Sequence, residues 1–94
     1  MKIVFSPLAA EDLVTAHEFI SKDSPVAADR VVARIIEVMG LLAVGGMVGR
    51  EVELRDGRVV RTWPVPPYRL YYRIVGSDME VARVYHQARE PIER

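Results

Sequence analysis

The sequence predicts an α+β fold: a short N-terminal strand and a two-helix hairpin, then a C-terminal antiparallel meander of about three strands, with the helices packed on the sheet. Three observations carry this. Ser-Pro occurs twice, at Ser6-Pro7 and Ser24-Pro25. Apolar residues recur at helical spacing as far as Gly45-Gly46 and alternate after it. Turn signals then follow in series at Asp56-Gly57, at the prolines of residues 64–67, and at Gly76-Ser77-Asp78. With 94 residues, 50% of them hydrophobic, the chain can build one core, so residues 1–94 are expected to form a single domain.

Lys2–Phe5 is a short apolar run that ends at the first Ser-Pro. There the serine hydroxyl can accept a free backbone N–H, and proline supplies a helical φ where no donor is needed. A first helix is predicted from Pro7 to about Ser21, with Ala9, Leu13, Ala16 and Ile20 on one face. The second Ser-Pro opens a helix to about Val44, where Ala28, Val32, Ile35, Met39 and Leu42 face the core and Arg30, Arg34 and Glu37 face away. Gly45-Gly46 stops it. Val31, Val38 and Leu41 broaden the apolar stripe; they either widen the core contact or meet a second neighbour. Beyond the glycines, Glu51–Leu54 and Val59–Trp63 flank Asp56-Gly57, which fits a hairpin or an extended loop leading into a strand. Prolines in 64–67 predict a loop or an edge crossing, since they cannot donate regularly to a ladder. Tyr68–Val75 and Met79–His86 complete the meander.

Composition narrows the function classes. Without cysteine there is no disulfide framework and no thiolate metal site. The only histidines, His17 and His86, fall on distant elements with no carboxylate pair at ligand spacing, so no metal is expected. The glycines at 45–49 lack the lysine and hydroxyl of a phosphate loop, and no cofactor is expected. No apolar run approaches the ~18 residues that span a bilayer, and the opening residues lack an export signal's apolar stretch. A cytoplasmic protein with no membrane partner is the expectation. Net charge is zero, yet residues 1–56 carry six Lys or Arg against nine Asp or Glu, and residues 57–94 carry seven against four. The basic second half could meet nucleic acid or an acidic peptide, although a pI near 6.7 is far below the roughly 9 typical of phosphate binders.

Two stretches bear chemistry. In YRLYYRIV, residues 68–75, alternation puts Tyr68, Leu70, Tyr72 and Ile74 on a core face and Arg69, Tyr71, Arg73 and Val75 on the other. Two guanidinium groups about 7 Å apart with a phenol between them could grip RNA or an acidic protein segment, and would equally serve as a solvated outer face. In VYHQARE, residues 84–90, Tyr85, His86 and Arg89 are the side-chain types of a metal-independent ribonuclease: a proton carrier, a cation for phosphate charge, and a phenol to stack or orient.

The element order and the motifs IVFSPLAAEDL, SPVAADRV, VGRE, VRTWPVPPYRLYYRI and VARVYHQARE resemble the RelE/ParE superfamily of type II toxin–antitoxin systems, over nearly the whole chain. The resemblance implies a growth-inhibiting toxin, of the kind found in plasmid stabilization, that is neutralised by a small antitoxin. The antitoxin would wrap the helices and cover the sheet, with Val31, Val38, Leu41, Arg69, Tyr71 and Arg73 as partner-binding candidates. RelE-like members cleave mRNA on the ribosome, whereas ParE-like members poison DNA gyrase. By the nuclease pattern, Arg69 and Arg89 match phosphate-holding arginines, and His86 with Tyr85 resembles a histidine–tyrosine pair in reversed order. The strand lysines of the nuclease branch fall at about Val60 and Thr62 and are missing, as is a tyrosine after Arg89. With two lysines and no net charge, the resemblance is closer to the ParE branch, in which toxicity comes from binding protein rather than from catalysis.

Overall fold

The computed structural model describes residues 1–94. Its elements are β1 (Lys2–Phe5), α1 (Pro7–Ser21), α2 (Pro25–Ala43), β2 (Arg50–Glu53), β3 (Val59–Val65), β4 (Tyr68–Val75) and β5 (Asp78–His86). Both helices begin where Ser-Pro predicts: Ser6 Oγ accepts from the N–H of Ala9 and Ser24 Oγ from that of Ala27. The five strands lie in the order β1-β5-β4-β3-β2, with β1 parallel to β5 and the other neighbours antiparallel. The meander has four strands where about three were expected, because Arg50–Glu53 pairs with β3 and so takes the hairpin of the two alternatives at Asp56-Gly57.

In the proline segment the two expectations, sheet edge and loop, each have a place. Pro64 and Val65 belong to β3, opposite Arg69 and Tyr68, and only Pro66-Pro67 forms the turn. β2 reaches only as far as Thr62, so at Pro64 the strand is an edge, where a missing N–H breaks no ladder.

The helix-side core joins Ala9 and Ala16 of α1, Ile35, Val38, Met39 and Leu42 of α2, and Tyr68, Leu70, Tyr72, Met79, Val81 and Val84 of the sheet. Val38 is 2% exposed, so it widens the core contact, and this corrects its place among the partner-binding candidates. Ile74, expected in the core, is 48% exposed, since β3 pairs with β4 only up to Tyr72 and leaves Ile74 without a neighbour on that side.

A bulge decides which way the end of β5 faces. Tyr71 pairs with Arg83 but Tyr72 pairs with Val81, so Ala82 is the extra residue and the alternation shifts there. Met79, Val81 and Val84 consequently face the helices, while Ala82 and Tyr85 face the other side. Past Val81, β5 has no strand partner on the β1 side, and α1 supplies substitutes. Ser6 Oγ donates to the carbonyl of Ala82 at 2.8 Å. Asp12 accepts the N–H of Val84 at 3.0 Å and holds the Arg83 guanidinium through two bonds of 2.8 and 2.9 Å. The α1–α2 hairpin carries its own tie, His17 Nε2 to Asp29 Oδ1 at 2.8 Å.

Candidate functional site

The sheet's outer face is not simply solvated. Val52, Leu54, Val60, Tyr71, Ala82 and Tyr85 are buried there as a second small core, with Ile92 of the C-terminal segment packed on it. After β5 the chain turns back: the Arg89 N–H bonds to the carbonyl of His86, and the Gln87 N–H to that of Pro67. Residues 90–94 then cross the face as a strap. The Arg55 N–H donates to the carbonyl of Ile92 and the Arg94 N–H to that of Glu53, both at 2.8 Å. Tyr85 donates its hydroxyl to the carbonyl of Glu90 at 2.6 Å, and Tyr71 donates to Glu93 at 2.7 Å. Burial, reinforced by the adjacent Glu93 carboxylate, pushes the Tyr71 phenol up to about 12.

At the rim of this strap the fold gathers Arg69, Tyr85, His86 and Arg89 around a groove of about 290 Å³. Arg69 reaches Thr62 Oγ1 at 3.2 Å, and Thr62 in turn donates to the carbonyl of Leu70. Arg89 lies over the Tyr85 ring, its guanidinium carbon 4.7 Å from the centroid. Neither arginine has a carboxylate partner within salt-bridge distance, in contrast to Arg73, which is bound to Glu80 across the strands at 2.7 Å.

His86 stands opposite Tyr68 and meets its ring edge-on at 5.1 Å, so it faces the helix side while Tyr85 faces the outer side. The bulge at Ala82 is what separates the two. His86 Nδ1 accepts the N–H of Ala88 at 3.0 Å. The neutral ring therefore carries its proton on Nε2, and its one lone pair is already engaged. Arg89 and His86 also border a larger groove of about 590 Å³ between α1 and the end of β5, lined in part by Leu8, Phe19 and Tyr68.

Of the predicted partner-binding residues, Leu41 is 42% exposed, Val31 is half-buried against the core, and Arg69 is half-buried at the groove. Val38 lies in the core, and Tyr71, 4% exposed, lies beneath the strap, so neither is open to a partner in this conformation. The sequence reading missed the strap itself. Its one available signal was Ile92, an apolar residue set alone among the polar and proline residues of REPIER. It also passed over Phe19 on α1 and Ile36 on α2, exposed by 65% and 52%. No helix is long and apolar enough to cross a membrane.

A family model described as ParE toxin of type II toxin–antitoxin system, parDE, matches residues 3–91. Among solved structures, the chromosomal ParDE TA system from P. aeruginosa aligns with a TM-score of 0.74 at 23% identity, covering 92% of this chain and 95% of that one. The YoeB dimer from Staphylococcus aureus aligns at 0.61 and 19% identity, with coverage of 92% and 95%. The YoeB/ParE toxin from Agrobacterium tumefaciens aligns at 0.58 and 21%, with coverage of 92% and 98%. No curated protein matches the chain. These structures share its fold, and a family match spanning all but five residues establishes that the chain belongs to the ParE toxins of type II toxin–antitoxin systems.

Proposed function

We propose that this toxin acts by binding a protein, that its target is DNA gyrase, and that a cognate antitoxin neutralises it. The observation that carries the reading is the state of His86. A ribonuclease using His86 as general base needs a free imidazole lone pair to take a proton, and the one lone pair of the neutral ring is held by the Ala88 N–H. Tyr85, the other proton-bearing candidate, lies on the opposite face with its hydroxyl committed to Glu90. The balanced net charge agrees, because ribosome and mRNA binding draws most of its affinity from phosphate contacts. Antitoxin contact is assigned to the apolar residues that the helices leave exposed, Leu41, Ile36 and Phe19, with the half-buried Val31 beside them.

One observation favours a second reading, ribosome-dependent mRNA cleavage: Arg69 and Arg89, both without carboxylate partners, stand beside His86. Purified toxin assayed separately on gyrase and on translating ribosomes divides the two. Loss of supercoiling with intact mRNA supports the binding toxin, and cleaved mRNA with unaffected gyrase supports the nuclease. A chain inert in both assays that still binds its antitoxin is an inactive relative.

A further inference from the structure

We propose that the groove between α1 and the end of β5 binds a small aromatic carboxylate, whose acid group meets Tyr68, His86 and Arg89 and whose ring lies along α1. This does not rest on the gyrase reading. Tyr68 points to a ligand. It is 5% exposed, and its hydroxyl makes no hydrogen bond within the protein. No fully buried side-chain polar atom is left unpartnered, so the hydroxyl itself opens on the groove that the residue lines. A tyrosine this deep ordinarily has a partner for its O–H. Burial also pushes the phenol up, which keeps it a donor at neutral pH.

Two further donors stand beside it. The His86 ring meets Tyr68 edge-on at 5.1 Å, and with Nδ1 accepting from Ala88 its free N–H is the one on Nε2. The turn that bonds the Arg89 N–H to the His86 carbonyl at 3.1 Å brings the guanidinium alongside, where stacking on Tyr85 fixes its place without using its charge. Three donors, one of them an unpaired cation, suit a carboxylate. The other end of the groove repels one: Asp12 is spent on Arg83 and Val84, but Glu11 is exposed there and makes no ion pair. α1 meets β5 at Ser6 with Ala82 and at Asp12 with Val84, so the two run the same way, and Phe19 lies a further ~10 Å along α1, towards His86. The ligand's ring therefore packs on Phe19 and Ala16, with its acid turned away from Glu11. A volume of about 590 Å³ is that of a small-molecule site.

The test titrates the isotopically labelled full chain with phenylbutyrate and with naphthoate while its amide resonances are followed. Saturable shifts are expected at Thr15–Phe19 and at Val84–Arg89, and phenylbutyramide, the neutral counterpart, is expected to bind about tenfold or more weakly than its acid. Tyr68→Phe and Arg89→Gln are each expected to weaken the acid about fivefold or more. Arg89 is exposed, so its variant decides should Tyr68→Phe not fold. The proposal is overturned if neither acid gives saturable shifts by ~10 mM, a concentration well above the dissociation constant of a specific site. Equal affinity for acid and amide also overturns it, as do shifts confined to the outer sheet face or folded variants that bind the acid as the parent does. Inorganic phosphate that displaces the acid at equal concentration does the same, since the site then reads charge alone.

Discussion

Asp12→Ala removes the carboxylate that closes the open end of β5. In the parent chain it satisfies Val84's N–H and both bonding nitrogens of Arg83, with side-chain exposures of 10% for Asp12 and 18% for Arg83. Truncation leaves a guanidinium nearly out of water without its counter-charge and a strand N–H without an acceptor. Breaking such a pair costs about 3–5 kcal/mol. Because the groove beside Arg83 admits water, the low end applies, and about 3 kcal/mol is a large share of the ~5–15 kcal/mol that holds a domain of this size. At ~4–8 °C per kcal/mol the midpoint should fall by about 12–24 °C. Asp12→Asn, which keeps an acceptor for Val84, should lose about half as much. Adding Arg83→Met to Asp12→Ala should recover part of the loss by removing the stranded charge. Urea unfolding read by circular dichroism gives each value. A loss below about 1 kcal/mol for Asp12→Ala, with an unchanged denaturant slope, would refute the reasoning.

Three further outcomes are expected. Tyr71 holds its proton more tightly folded than unfolded, its pKa raised from 10.0 to about 12, so its contribution to stability is complete below pH 10 and declines as pH rises from 10 towards 12. A phenolate absorbance titration of Glu93→Gln should show that late phenol ionising earlier than in the parent, as Glu93 is one cause of the shift. Gly49→Ala would place a Cβ 2.5 Å from the Thr62 carbonyl oxygen and 2.9 Å from the Tyr72 hydroxyl, which accepts the Gly49 N–H at 2.7 Å; about 2–3 kcal/mol should be lost in urea unfolding. His86→Ala should change gyrase inhibition by less than about fivefold, the range within which most interface truncations fall. A nuclease would instead lose about 10²-fold or more in mRNA cleavage.

The helices were legible because their signals are local. Ser6-Pro7, Ser24-Pro25 and the 3.6-residue spacing each act within a few residues of chain, and both helices start where those signals stand. The sheet was less legible because pairing is long-range. Nothing near Ala82 announces the bulge, which appears only when β5 is laid against β4, and it is this bulge that sends Tyr85 and His86 to opposite faces. Alternation alone gave the right two faces for Tyr68 to Tyr72, but not that Tyr71 lies under Ile92 and Glu93 of the C-terminal strap. Arg73 is neutralised by Glu80 for the same reason: the partner is across a hairpin, not along the strand. The cluster of Arg69, Tyr85, His86 and Arg89 was readable as residue types. Its geometry was not, because the tautomer of His86 is set by a turn, at Ala88, that no motif specifies.

The most direct measurement is gyrase supercoiling of relaxed plasmid titrated with the purified toxin, run beside primer-extension mapping of mRNA on translating ribosomes. Binding without catalysis requires that supercoiling fall, that cleaved plasmid accumulate with gyrase attached, that both effects vanish on adding the cognate antitoxin, and that the mRNA stay whole. Undiminished supercoiling alongside mRNA cut on the ribosome would contradict it and return His86, Arg69 and Arg89 to a catalytic role.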